Sequence, residues 1–237
     1  MMTTRPVDAV LLDMDGTILN SIRSAERIWG SWAADHGLDV EAFLPTIHGV
    51  QSVETIRRLG LSGVDPLVEA ARITQAETED VEGIDAIAGA AEFLAALADY
   101  PWAIVTSAPR NLAVNRIRAA GLPMPPLLIA AEDVEHGKPA PDCFHLAAER
   151  LATTADRCLV LEDSVAGVHA AEASGAVVLV VTETHHAPMD FRHPAILDYR
   201  DLAIERGTDG TLSITRAAGD LPTSQWISCV LRAPILD

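Results

Sequence analysis

The stretch Ala9-Val10-Leu11-Leu12-Asp13-Met14-Asp15-Gly16-Thr17 decides how the rest of the chain is read. Four consecutive apolar residues are of strand length. A run that is apolar at every position fits a strand buried on both faces, as in a parallel sheet. Two carboxylates follow, two residues apart, and Asp15-Gly16 permits a turn. A strand ending in such a turn can aim both acids into one crevice. One carboxylate can then attack phosphorus to form an acyl phosphate. The other can protonate the departing oxygen and afterwards deprotonate an attacking water. A plain turn carrying two solvated acids has the same sequence, so the wider chain has to separate the two readings.

Working outward, apolar runs of the same kind recur at residues 102–105, 127–130, 159–161 and 177–181. Between them, residues 89–100, 111–120, 142–151 and 166–174 have helical spacing. This alternation predicts an α/β fold with a doubly wound, mainly parallel sheet. The spacing breaks once. The first strand ends near Leu12 and the next begins near Trp102, far beyond a normal crossover. The gap holds helical stretches at 24–36, 53–59 and 66–77. Residues 21–85 are therefore expected to form a helical cap domain inserted into an α/β catalytic core made of 1–20 and 86–237. Such an insertion sits over the carboxyl ends of the strands, where open α/β sheets bind ligands, and can act as a lid. Further on, a turn at 207–210 leads to a short expected strand at 212–215, and 219–237 has no readable pattern.

Composition narrows the function. The 237 residues carry a formal charge of −17, which argues against nucleic acid as a partner. An acidic protein also repels a phosphate ester unless a bound cation and placed basic groups reverse the local field. Sixteen of the 17 basic residues are Arg; the single Lys is Lys138, between Gly137 and Pro139. Its reach and hydration differ from those of Arg, so the choice is either chemical or an accident of composition. Three scattered cysteines give neither a disulfide framework nor a zinc site, which fits a reducing compartment. The first residues lack a signal-peptide apolar region, and no apolar run reaches membrane-spanning length. The expectation is a cytoplasmic monomer or small homo-oligomer with no membrane partner.

Three more motifs fall at strand ends or just before a helix. Thr106-Ser107-Ala108 follows the second strand, where a hydroxyl and free backbone N–H groups can hold a phosphate oxygen or simply cap the next helix. Lys138 lies in a Pro-fixed loop, placed either to neutralise a nucleophile and a transferring phosphoryl group or to face solvent. Glu162-Asp163-Ser164 follows the strand at 159–161. Its hard oxygens suit Mg²⁺, and Asp163 or Ser164 equally suits a helix N-cap. In a parallel sheet these ends share one edge, so all four motifs converge. Among other residues, His185, His186 and His193 lack the acids that would complete a metal site and read as a polar loop. Trp29 and Trp32, three apart, read as a packing face. His48 is either a substrate contact from the cap or a turn residue.

Taken together, Asp13-Met14-Asp15-Gly16-Thr17, Thr106-Ser107, Gly137-Lys138-Pro139 and Leu161-Glu162-Asp163-Ser164-Val165-Ala166-Gly167, in that order, resemble the haloacid dehalogenase superfamily of phosphatases with a helical cap after the first strand. The resemblance covers roughly residues 9–182. It implies Asp13 as nucleophile and Asp15 as general acid/base, with the Asp15 carbonyl also on Mg²⁺. It implies that Ser107 or Thr106, the Ala108 backbone and Lys138 hold the phosphoryl group. Asp163 would bind the metal, with Glu162 bound directly or through water. Residues 102–110 and Ile47-His48-Gly49 further resemble phosphatases acting on sugar and polyol phosphates, such as glycerol phosphate and 2-deoxyglucose 6-phosphate. There His48 and Arg110 would be substrate contacts. The implied activity is Mg²⁺-dependent hydrolysis of a small phosphorylated metabolite through an aspartyl phosphate. Sugar phosphomutases of the β-phosphoglucomutase type share the core motifs but place a His and an Arg where this chain aligns Ala25 and Ser52. A non-catalytic phospho-switch also uses an Asp, a hydroxyl and a Lys, on a shorter chain without a cap.

Overall fold

The computed structural model describes residues 3–185, 192–216 and 227–232. Strand β1 (Thr3–Val7) leads into β2 (Ala9–Leu12), the strand of the opening motif. β2 lies inside a six-stranded, all-parallel sheet, between β5 (Trp102–Val105) and β7 (Cys158–Glu162). β6 (Leu128–Ile129) continues the sheet beyond β5, while β8 (Val177–Val181) and β9 (Ala195–Ile196) continue it beyond β7.

Continuous apolarity in β2 has a simple cause: both faces are covered. Val10 and Leu12 point into a core shared with Phe93 and Leu94 of α5 (Ala90–Ala96) and Leu112 and Ile117 of α6 (Arg110–Ala119). Ala9 and Leu11 point the other way. They meet Phe144 and Ala147 of α7 (Asp142–Arg150) and Val168 of α8 (Val165–Ser174). Two helices on each face make the sheet doubly wound. The carboxyl ends of β2, β5 and β7 lie side by side, so the loops that follow them converge.

A two-stranded ribbon of β3 (Leu19–Asn20) and β4 (Asp85–Ala86) brackets an all-helical segment. It holds α1 (Ile22–Asp35), α2 (Val40–Phe43), α3 (Ser52–Leu59) and α4 (Pro66–Glu79). α4 begins as its sequence dictates, with Pro66 in the first turn and the Asp65 carboxylate accepting from the N–H groups of Leu67 and Val68. The segment has a hydrophobic cluster of its own, built on Trp29, Trp32, Phe43, Ile56 and Ile73. Trp29 and Trp32 meet edge to face at 5.7 Å, which makes them packing residues.

A second sheet goes beyond the sequence reading. Its order is β1, β12 (Ile227–Arg232), β11 (Thr211–Arg216) and β10 (Leu202–Arg206). The strand expected at 212–215 is the middle of β11. β12 falls within the stretch that had no readable pattern, and pairs in parallel with β1 from the opposite end of the chain. Among the described residues no helix is long and apolar enough to cross a membrane.

Candidate active site

The ladder of the sheet runs one residue past β2, because the Asp13 N–H donates to the Leu161 carbonyl at 3.0 Å. Asp13 is thereby fixed at the sheet edge. The chain then folds back on itself: the N–H groups of Thr17, Ile18 and Leu19 all donate to the Met14 carbonyl. Gly16 makes the turn at φ +88°, and a Cβ there would lie 2.0 Å from Asp163 Oδ2. Only glycine meets both the conformation and the space.

Lys138 rises under Asp13 from the loop before α7 and is 3% exposed. Its Nζ donates to Asp13 Oδ1 at 2.5 Å, to Glu162 Oε1 at 2.6 Å and to the Val105 carbonyl at 3.1 Å. Three donors meet three acceptors, so the ammonium is fully satisfied. Glu162, wholly buried, uses its other oxygen to accept from the N–H groups of Asp163 and Ser164 and from the Ser164 hydroxyl. A Cβ on Gly167 would sit 1.6 Å from Glu162 Oε1, so that glycine gives the carboxylate its room. Ser164, not Asp163, caps α8, accepting from Gly167 N–H at 3.0 Å. Asp163 is left facing the crevice, with Oδ1 accepting from the Thr17 hydroxyl at 3.1 Å.

Oxygens of Asp13, Glu162 and Asp163 all lie within 4.8 Å of one another, and all three residues are buried. Lys138 pairs directly with two of the three, Asp13 and Glu162. Burial, with the charges of Glu162 and Asp15 adding to it, pushes Asp13 up to about 8 against the pull of Lys138. Burial, with the charges of Glu162 and Asp13 adding to it, pushes Asp163 well above the usual carboxylate range. Burial opposes the Lys138 charge, but Asp13 and Glu162 outweigh it and raise the ammonium above its ordinary value.

The loop after β5 supplies the third side. Thr106, Ser107 and Ala108 line the same cavity as Asp13, Asp15 and Asp163, with an empty volume of about 690 Å³. Thr106 Oγ1 accepts from the Ala108 N–H at 3.0 Å, and the Ser107 hydroxyl donates to the Gly49 carbonyl at 3.0 Å. Neither caps α6, whose N-cap is Pro109. The Gly49 loop thus lies against the Ser107 hydroxyl. His48 lines the cavity as well, 4.0 Å from Glu26. Arg110 does not join them. Its guanidinium pairs with Asp133 and donates to the Leu128 carbonyl. The expected substrate contact is instead a surface ion pair. His185 hydrogen-bonds the Asp163 carbonyl through Nε2 at 2.8 Å, and His193 pairs with Glu172. His186 lies outside the described residues.

Sequence reasoning missed Ser21, Glu77 and Arg116. Asp15 Oδ1 accepts from the Ser21 hydroxyl at 2.5 Å and from Arg116 Nη1 at 2.9 Å. The other arm of Arg116 donates to Glu77 Oε1 at 3.0 Å. One signal existed: Arg116 sits on the apolar stripe of α6 with Leu112, Ala113 and Ile117, and Glu77 follows Ile73 on the buried stripe of α4. A charge on such a stripe needs a partner.

The family model for haloacid dehalogenase-like hydrolases matches residues 7–175, which take in every motif of the site. The chain belongs to this family. As a haloacid dehalogenase-like hydrolase it is 41% identical over 184 residues to hexitol phosphatase A of Escherichia coli (strain K12), covering 76% of this chain and 83% of that one. It is 30% identical over 185 residues to validoxylamine A 7′-phosphate phosphatase of Streptomyces hygroscopicus subsp. limoneus, covering 75% and 86%. Among solved structures, a family hydrolase of Deinococcus radiodurans R1 with bound phosphate and sodium is 31% identical, with a TM-score of 0.57 over 79% of this chain and 86% of that one. In this haloacid dehalogenase-like hydrolase, Asp13, Asp15, Thr106, Ser107 and Asp163 line one cavity, and Lys138 joins Asp13 to Glu162.

Proposed function

We propose that the protein is a Mg²⁺-dependent phosphatase of small sugar or polyol phosphates, working through a phosphorylated Asp13. The observation that carries this is the position of Asp13. It stands at a sheet edge, held by a buried Lys, between a second acid on one side and a hydroxyl loop on the other.

The donor set supports a hard divalent cation. Asp13, Glu162 and Asp163 offer only carboxylate oxygens, close enough together to share one ion, and one ammonium does not neutralise three acids. Asp13 and Asp163 would hold the metal, with Glu162 directly or through water and the Asp15 carbonyl completing the protein ligands. When bound, it would offset the repulsion between the nucleophile and the phosphate ester. The rest falls to the chain itself. Lys138 and the Thr106-Ser107-Ala108 loop hold the phosphoryl oxygens, for which the Lys138 ammonium gives up one of its three acceptors and the Ser107 hydroxyl exchanges its bond to Gly49. Asp13 attacks phosphorus. Asp15 gives a proton to the departing alkoxide and later takes one from the attacking water.

Hydrolysis is favoured over phosphoryl transfer between sugar positions. Ala25 and Ser52, which stand where the mutases carry a His and an Arg, both line the cavity. At those two positions the wall has no charge with which to grip a second phosphate. A polyol leaving group fits a wall that carries His48, Ser52 and Glu77. The test is phosphate release, with Mg²⁺ and then with a chelator, from hexitol, glycerol, hexose and nucleoside monophosphates. Release confined to a few sugar or polyol phosphates and abolished by chelation is expected. Release from nucleotides alone, or full activity in chelator, would overturn the assignment.

A further inference from the structure

Asp15 uses its two oxygens unequally. Oδ1 accepts two hydrogen bonds, from Ser21 and Arg116, while among the described residues no donor reaches Oδ2. Each of the groups at Oδ1 is committed to that role. Ser21 is the N-cap residue of α1, a position where a serine normally bonds the helix's own N–H groups, yet its hydroxyl makes no such bond and turns to Asp15. Arg116 is 4% exposed, and its fork spans two carboxylates, Nη1 on Asp15 and Nη2 on Glu77. Its Nε is buried without a partner, so the two ends of the fork set how the group is aimed. Glu77 is itself buried, and burial pushes its carboxyl above the ordinary range against the pull of Arg116.

A buried ionic cluster of this kind is a poor way to gain stability, since well-packed apolar residues do as well or better. What it provides is geometry. A carboxyl oxygen that accepts two hydrogen bonds, one of them from a cation, is the less basic of the pair. We propose that Arg116 and Glu77 are positioning residues for the acid/base. Glu77 anchors the Arg116 fork, Arg116 and Ser21 hold Oδ1, and Oδ2 is left as the oxygen that carries the proton. The inference rests on Asp15 being the general acid/base of the proposed phosphatase.

The steps balance. Asp13 attacks phosphorus and the bond from phosphorus to the substrate oxygen breaks. The proton on Asp15 Oδ2 passes to that oxygen, leaving an alcohol and the acyl phosphate. Water then attacks the acyl phosphate, its proton returns to Oδ2, and inorganic phosphate leaves a free Asp13 carboxylate. Only the first step depends on the leaving group, which gives the test its leverage. Sorbitol 6-phosphate loses an alkoxide that needs the proton, whereas p-nitrophenyl phosphate loses a phenolate that does not.

Single-turnover release from both esters is compared for the wild type, Arg116→Lys, Glu77→Gln and the pair Arg116→Met with Glu77→Gln. The pair leaves no buried charge unpaired, so it folds even if a single variant does not. General acid assistance contributes about 100- to 10,000-fold, so displacing the proton-bearing oxygen in Arg116→Lys and the pair is expected to slow sorbitol release by at least ~10-fold more than nitrophenolate release, with KM within about twofold. Glu77→Gln keeps an acceptor for Arg116 and falls between these variants and the wild type. Equal loss on both esters, or no loss on either, would show the cluster to be structural and overturn the inference. A wild type that releases phosphate from neither ester nor any sugar or polyol phosphate of the wider panel would instead remove the phosphatase reading beneath it.

Discussion

At the scale of the residue, the chemistry comes down to three buried carboxylates facing one ammonium. Asp13, with its value raised from 3.8 to about 8, binds a proton more tightly in the folded state than in the unfolded chain. Its contribution to stability is therefore present below about pH 4 and is lost as pH rises toward 8. A bound divalent cation acts in the opposite sense, by stabilising the ionised cluster. In a chelator, the melting temperature is expected to fall as pH rises through that window, and Mg²⁺ is expected to raise it more at pH 8 than at pH 6. Calorimetry over that range checks this; a chelated protein as stable at pH 8 as at pH 5 would contradict it. Asp13, Lys138 and the Glu162-Asp163 pair were all legible in the sequence, because each stands in a short local motif at a strand end or in the Pro-fixed loop before a helix. Ser21, Glu77 and Arg116 were not. Ser21 and Arg116 reach Asp15 across 6 and 101 positions of chain, Glu77 reaches Arg116 across 39, and no local pattern links them.

At the scale of the element, glycines and caps decide where those side chains stand. Gly167, in the first turn of α8, is the clearest case. An alanine there would place its Cβ 1.6 Å from the Glu162 carboxylate, which in turn holds Lys138. Overpacking of this kind costs about 1–3 kcal/mol, so Gly167→Ala is expected to lose stability by that amount and to lose activity as Glu162 and Lys138 shift. Urea unfolding alongside turnover measures both; unchanged stability would mean that the strand end yields freely. Most elements were readable. The apolar runs at 102–105 and 177–181 became β5 and β8 without change, since a strand covered on both faces has no polar position to obscure it. β1 and β12 were unreadable for the converse reason. Thr3-Thr4-Arg5-Pro6-Val7 is polar and contains a proline, and its partner is more than two hundred residues away. Arg110 reads as a neighbour of the hydroxyl loop, but the direction of its side chain is set by Asp133, which sequence proximity does not show.

At the scale of the molecule, a net charge of −17 is expected to repel the substrate the site is built to take. The answer is spatial. The single lysine of the chain stands beside Asp13 and Arg116 is buried beside Asp15, and in the proposed reaction a divalent cation supplies the positive charge that Lys138 alone does not. The helical segment between the two strands of the small ribbon covers that point, contributing Gly49 to Ser107 and Glu77 to Arg116. Its presence was legible as a gap between strand runs. Its contacts with the sheet edge were not, because they depend on how the helices settle over the strands. The proposed reaction turns on one covalent event, the transfer of a phosphoryl group to Asp13. The measurement that tests it most directly is acid quench during turnover of sorbitol 6-phosphate, followed by mass spectrometry of the peptide carrying Asp13. The expected result is one phosphoryl group on Asp13 in the wild type, and neither adduct nor turnover in Asp13→Asn. Turnover at wild-type rates in Asp13→Asn, or a phosphoryl group on another residue, would contradict the account.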